Sequence, residues 1–312
     1  MNKQTLLETR QRISAYVHNT PICTSHLLDD ISGGKLFFKC ENFQKMGAFK
    51  MRGATNAIMQ LTKAQQERGV VTHSSGNFAQ ALSLAAKNLG VTAYIVMPKN
   101  APKVKRDAVL GYGGIITDCE SNIKAREEAA AQIVAEKGAT FIHPSNDLNV
   151  ILGNATAAME LLEVHPDLNC IISPVGGGGL IAGTALAAHY FGTQCKTIGG
   201  EPMVTDDAFR SLQTGQIETN ITTNTIADGL RTQLGDINFP ILQQHVDHII
   251  RVEEEEIVKA MRLLWERLKI VVEPSSAVAF AAVLKNKAYF KGKKVGIILS
   301  GGNVDLDTLR FS

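Results

Sequence analysis

The stretch PVGGGGL, from Pro174 to Leu180, sets four consecutive glycines between an apolar run, CIISPV, and a helical run, LIAGTALAAHYF. Without Cβ atoms, such a loop can turn several backbone N–H groups toward one anion, and the helix start behind it adds its own positive potential. A phosphate is the guest that this chemistry suits. No lysine follows the glycines as GxxxxGK[ST] requires, so a nucleoside triphosphatase is not expected. Nor is the pattern GxGxxG with an acidic residue about twenty positions on. A tight strand-to-helix turn without a ligand would also use glycine, though rarely four in a row.

Outward from this loop, apolar runs of strand length alternate with runs of helical periodicity. Upstream, GVVTHSS reads as a strand entering a turn and FAQALSLAAKNLG as a helix closed by Gly90. VTAYIVMP is a strand, APKVKRDAVLGYG a helix, GGIITDC a strand, SNIKAREEAAAQIVAEKG a long helix and ATFIHP a strand. NATAAMELLEV leads as a helix into CIISPV. Beyond the glycines come CKTIGGEP as a strand, EEEEIVKAMRLLWERL as a helix with carboxylates at its positive end, and KKVGIILSGG as a buried strand. The alternation predicts an α/β fold of parallel sheets covered by helices. No low-complexity linker interrupts it. The expected organisation is two open α/β lobes: residues 66–147 form a small one, inserted into a large one of residues 1–65 and 148–312. Ligands are expected at the strand C-termini between them.

The chain has 312 residues, 45% hydrophobic and 20% charged, enough for two compact lobes. A net charge of +2 without a basic run argues against nucleic acid as a partner. No apolar run is long enough to span a bilayer, and MNKQTLLETRQRISAY reads as an amphipathic helix lacking a signal-peptide core. The five cysteines are scattered without a CxxC pair, which suits reduced thiols in a cytoplasm.

A second short stretch carries chemistry. GAFKMRG, Gly47 to Gly53, sets Lys50 between Phe49 and Met51. A partly desolvated amine has a lowered pKa and a larger nucleophilic fraction. With a phosphate cradle elsewhere in the chain, it suggests pyridoxal phosphate, whose aldehyde condenses with a lysine. An exposed lysine with its stem on Phe49 would look the same by spacing alone.

GAFKMRGATNA, SSGNFAQALSLAAKNLG, PVGGGGLIAG, EPMVTDD, IADGL, WERLKIVVEPSSA and LSGGNVD together resemble the serine racemase and threonine/serine dehydratase family. These are pyridoxal-phosphate enzymes of fold type II, the tryptophan-synthase-β type. The resemblance covers nearly the whole chain in the family's order. It implies that Lys50 holds the cofactor and acts as base on one of its faces, that Phe49 packs on the ring, and that Asn77 hydrogen-bonds the ring's phenolic oxygen. It implies phosphate binding by Gly176, Gly177, Gly178, Gly179 and the Leu180 amide, and a place for Ser300 at the pyridine nitrogen. A hydroxyl there makes the ring a weaker electron sink than a carboxylate would, which suits prompt loss of a β-hydroxyl group.

By the same resemblance, Ser74, Ser75, Gly76 and Asn77 face the substrate, with the turn binding its carboxylate and Ser75 serving as the second base of a racemase. A helix cap is the plainer reading of Ser75. Phe78 and Ala79 stand where the family often has His and Gly, so a histidine's role is lost. Glu201, a carbonyl at Thr205, and Asp207 resemble a structural Mg2+ or Ca2+ site, although two carboxylates are more often simply solvated. Arg126 resembles an arginine that can meet a second substrate carboxylate, or it is an ordinary helix arginine. Asp228 and Gly229 are implied to lie near the cofactor, and Glu273 borders it without a definite role.

The implied function is racemisation of serine and elimination of water from L-serine or L-threonine to a 2-oxo acid and ammonia, in a cytoplasmic homodimer. The alternatives are a 3-hydroxyaspartate dehydratase, a β-replacement enzyme of the cysteine synthase kind, and a non-catalytic protein that binds a phosphate ligand. An isoleucine-sensing regulatory domain, as biosynthetic threonine dehydratases append, is not expected after LSGGNVD.

Overall fold

A computed structural model describes residues 1–306. Its strands are β1 (Ile22–Cys23), β2 (Lys35–Cys40), β3 (Val70–His73), β4 (Ala93–Pro98), β5 (Ile115–Cys119), β6 (Thr140–Phe141), β7 (Cys170–Pro174), β8 (Lys196–Pro202), β9 (Val246–Val252) and β10 (Lys294–Leu299). Six form one sheet in the order β1-β2-β10-β7-β8-β9, and four form a second in the order β5-β4-β3-β6. Every pairing is parallel except β1 with β2. Parallel neighbours need helical crossovers, and those helices cover both faces. This is why β7 (CIISP) is buried throughout and β10 (KVGIIL) is buried after its first residue, neither alternating.

The helix Lys50–Met59 joins the two sheet layers. It packs against the helix Asn77–Leu89 on one side and the helix Leu148–Val164 on the other. The second crossing is very close: a Cβ on Gly153 would stand 2.5 Å from the Arg52 carbonyl oxygen and 2.7 Å from Gly53 Cα. Glycine at 153 is therefore what lets these backbones meet.

Two elements differ from the expected ones. The strand expected over ATFIHP is only Thr140–Phe141, because the chain turns immediately afterwards. The turn is held by His143, whose Nδ1 accepts from the amides of Ser145 (3.2 Å) and Asn146 (2.8 Å). The helix expected over NATAAMELLEV starts earlier, at Leu148, where the Asp147 side chain caps the amides of Asn149 and Val150. The expected alternation also did not mark β2 or β9, which occupy an inner and an edge place in the larger sheet.

Candidate active site

Three strands end in the segments that carry the candidate residues: β7 in the glycine loop, β10 at Ser300 and β3 in Ser74–Gly76. GAFKMRG docks on LSGGN through backbone contacts. Phe49 N donates to Ser300 O (2.9 Å), Gly302 N donates to Gly47 O (2.9 Å), and Ala48 bridges Gly301. That docking fixes Lys50 at the first turn of its helix, with Phe49 and Ser300 beside it.

Lys50 Nζ donates to the Pro144 carbonyl at 2.7 Å. Its ammonium lies 5.0 Å from the Phe49 ring centroid and 5.6 Å from that of Phe78. Burial lowers the amine to about 8, against an opposing pull from Glu273. Phe78, 2% exposed, is therefore a wall of the lysine's pocket and offers no proton.

The glycine loop lies one peptide away. A Cβ on Gly177 would stand 2.3 Å from Ser145 Oγ, and one on Gly179 would stand 2.8 Å from Ser145 O. A Cβ on Gly176 would meet Leu230 Cα at 2.8 Å, and Gly178 has φ +78°. Packing alone thus demands glycine here, as in a plain turn. The donors go further. Among the described residues no acceptor takes the N–H groups of Gly176, Gly177, Gly178, Gly179 or Leu180. Five unpaired amides at the start of the helix Gly179–Phe191 form a donor set that a phosphate fits.

Asn77 opens the helix Asn77–Leu89. Its Oδ1 accepts from Asn303 Nδ2 (2.9 Å), and its Nδ2 donates to Glu273 Oε1 (2.9 Å) and Oε2 (3.0 Å). The N-cap of this helix is Gly76, with no side-chain cap. Ser74 Oγ accepts from Gly76 N (3.3 Å) instead. The capping role considered for Ser75 is therefore not what the structure shows, because the chain enters the helix through glycine.

Arg126 lies on the helix Ile123–Lys137, its charge acting on His73 at the end of β3. Its Nε is buried without a hydrogen-bond partner. His143 carried no sign in the sequence. With Nδ1 accepting two amides, its proton sits on Nε2. Burial, then His73 and Lys50, hold it down to about 4, so it stays neutral near the lysine.

Glu201, Thr205 and Asp207 come together at the end of β8. Glu201 accepts from the amides of Ala208 and Phe209 (3.0 and 2.8 Å). Asp207 accepts from Asn220 Nδ2 (2.8 Å) and Leu234 N (3.0 Å). Burial, and then Asp207, push Glu201 well above the carboxylate range, and burial raises Asp207 to about 6. Thr205 Oγ1 is buried without a partner. Two crowded buried carboxylates beside an orphan oxygen are a donor set that a hard cation fits. Among the described residues no group of three His, Cys, Asp or Glu side chains could hold a metal by itself.

A lysine with a depressed pKa, set one peptide from an anion cradle at the strand ends of an open α/β sheet, defines a fold type II pyridoxal-phosphate enzyme. The family model described as "Pyridoxal-phosphate dependent enzyme" matches residues 13–301, and the chain belongs to that family. It is 47% identical over 307 residues to the beta-hydroxyaspartate dehydratase of Paracoccus denitrificans, covering 98% of each chain. It is also 47% identical to the serine racemase of Dictyostelium discoideum, covering 97% of this chain and 94% of that one. The solved structure of maize serine racemase superposes with a TM-score of 0.96 at 46% identity, covering 98% of this chain and 95% of that one.

Proposed function

We propose that the protein eliminates water from a small β-hydroxy amino acid, serine or threonine, to give a 2-oxo acid and ammonia, and that it also racemises serine. What carries this reading is one peptide, Pro144–Ser145, which holds Lys50 Nζ at one end and packs on the glycine loop at the other. Similarity to serine racemases and a hydroxyaspartate dehydratase supports the substrate class. Pyridoxal phosphate, when bound, supplies the electron sink that makes the substrate's α-proton acidic. Its phosphate would be held by the amides of Gly176–Leu180, and its ring by Phe49, Asn77 and Ser300. The amides of the Ser74–Asn77 turn orient the substrate carboxylate at a helix N-terminus. The Lys50 amine removes the α-proton on its own face. The Ser75 hydroxyl, not spent on a helix cap, is the proposed proton carrier for the other face. The β-hydroxyl takes up a proton and leaves as water, and hydrolysis of the resulting enamine gives the 2-oxo acid and ammonia.

One observation favours a second reading. The Arg126 Nε is buried and unpartnered, a setting that would accept a substrate's second carboxylate, as in 3-hydroxyaspartate. A panel of L-serine, D-serine, L-threonine and the 3-hydroxyaspartate diastereomers, scored for 2-oxo acid and for chirality, separates the two. Preference for serine with inversion supports the first reading. Preference for hydroxyaspartate that Arg126→Ala abolishes supports the second.

A divalent cation at Glu201, Thr205 and Asp207 is proposed as structural. Chelation should lower the melting temperature and Mg2+ or Ca2+ restore it. No change on chelation would dismiss it. The division into residues 66–147 and the remainder is proposed on the two sheets sharing no strand. The homodimer, proposed from the family resemblance, is checked by sedimentation. No helix among the described residues is long and apolar enough to cross a membrane.

A further inference from the structure

Glu273 is a buried acid that the proposed chemistry leaves unused. It precedes the helix Pro274–Lys285 and is 4% exposed. Both carboxyl oxygens accept from Asn77 Nδ2, and Glu273 N donates to Gly301 O at 3.0 Å. A Cβ on Gly301 would stand 2.9 Å from Glu273 Oε1, so the carboxyl fills that space. At the other end of the Asn77 amide, Asn303 Nδ2 donates to Asn77 Oδ1 at 2.9 Å and to Met46 O at 2.8 Å. The amide is thus gripped from both sides. An ionised carboxylate accepts through both oxygens, whereas a neutral carboxyl keeps one acceptor and turns the other oxygen into a donor, so the two-oxygen grip on Asn77 depends on its charge.

Three charged groups face Glu273. Asp228 lies beside Gly229, whose amide donates to Ser275 Oγ at 2.9 Å, two residues along from Glu273. Lys105, on the helix Lys103–Gly111 of the four-stranded layer, pairs with Asp228 at 2.5 Å. Lys50 is the third. Burial, then Asp228, raise the Glu273 carboxyl to about 7, with the Asn77 hydrogen bond, Lys105 and the Asn303 amide opposing. Both charge states are therefore available near neutrality.

The geometry points to Glu273 as the positioning residue for Asn77, its proton occupancy set from the opposite layer by the Lys105–Asp228 pair. When Lys105 is near, the ionised carboxylate that accepts from Asn77 is favoured. When it is removed, Asp228 faces Glu273 uncompensated and the carboxyl takes up a proton. The inference rests on the assignment of Asn77 to the cofactor.

The test follows the visible absorbance of the pyridoxal-phosphate holoenzyme against pH in wild type, Glu273→Gln, Lys105→Met and Asp228→Asn. The wild type is expected to show a transition near neutrality that Glu273→Gln lacks. Lys105→Met should move it up and Asp228→Asn down, each by about half a pH unit, the size expected of a partly exposed charge. A transition that survives in Glu273→Gln, or that the two charge variants leave in place or move the same way, overturns the proposal. A second arm needs no cofactor. A folded carboxyl near 7 against an ordinary 4.5 binds an extra proton between those values. Cofactor-free wild type should then lose melting temperature relative to Glu273→Gln as pH rises through that window. A constant difference would refute the titration. If the difference follows pH but the absorbance does not, the link to Asn77 is refuted. Protein that takes up no pyridoxal phosphate would instead sink the cofactor assignment, and the melting arm would still decide on Glu273.

Discussion

At the scale of single residues, Lys50 has a consequence that rests on one pKa. The neutral amine is the nucleophile that takes up pyridoxal phosphate. Burial lowers that amine from 10.5 to about 8. The rate at which cofactor-free protein captures pyridoxal phosphate, read by stopped-flow absorbance, should therefore rise with pH and level off just above 8. A rate still climbing toward 10.5 would mean that the lysine is solvated. Lys50 and the glycines were legible in the sequence because their chemistry is local: a cation among apolar neighbours, and a run without Cβ atoms. His143 was not, and Glu273 was placed at the cofactor only by resemblance, without its charge or role. The charge of Glu273 is decided by burial and by Asp228, and that of His143 by burial and His73, partners that only the folded chain brings near. Ser75 was read as a possible cap because serine often caps helices. Gly76 occupies that place.

At the scale of elements, the glycine loop is constrained twice, by packing against Ser145 and by its free amides. Gly177→Ala would drive a methyl group into Ser145 Oγ, and Ser145 follows the residue that holds Lys50. The substitution should weaken cofactor binding at least about tenfold, a change of ~1.4 kcal/mol, in an equilibrium titration by fluorescence. Unchanged affinity would remove the loop from the cofactor site. The parallel strands were legible where they were flanked by periodic helices. Strand β6 was overread because ATFIHP is apolar enough to extend, yet the His143 ring captures the next two amides and turns the chain. The start of the helix Leu148–Val164 was missed because its cap, Asp147, precedes an apolar stretch that gave no period.

At the scale of the whole molecule, a buried quartet ties strand β2 and the turn after it to the helices Lys50–Met59 and Leu148–Val164. Arg52 pairs with Glu41 (2.7 Å) and Glu160 (2.7 Å), and Lys39 pairs with Glu160 (2.6 Å). Arg52 belongs to GAFKMRG, so the stretch carries one cation for chemistry and one for cohesion. Its second role was invisible in the sequence, since Glu160 lies more than a hundred residues away. Glu160→Ala leaves two buried cations facing Glu41 alone and should cost about 3–5 kcal/mol in denaturant unfolding. A loss under about 1 kcal/mol would mean that the quartet is hydrated or rearranges. The claim on which everything else turns is that Lys50 carries the cofactor. Borohydride reduction of the holoenzyme, followed by peptide mass mapping, tests it most directly. The expected result is one pyridoxyl-modified peptide containing Lys50, with Lys50→Ala unmodified and inactive; modification at another lysine, or full turnover by Lys50→Ala, would contradict the account.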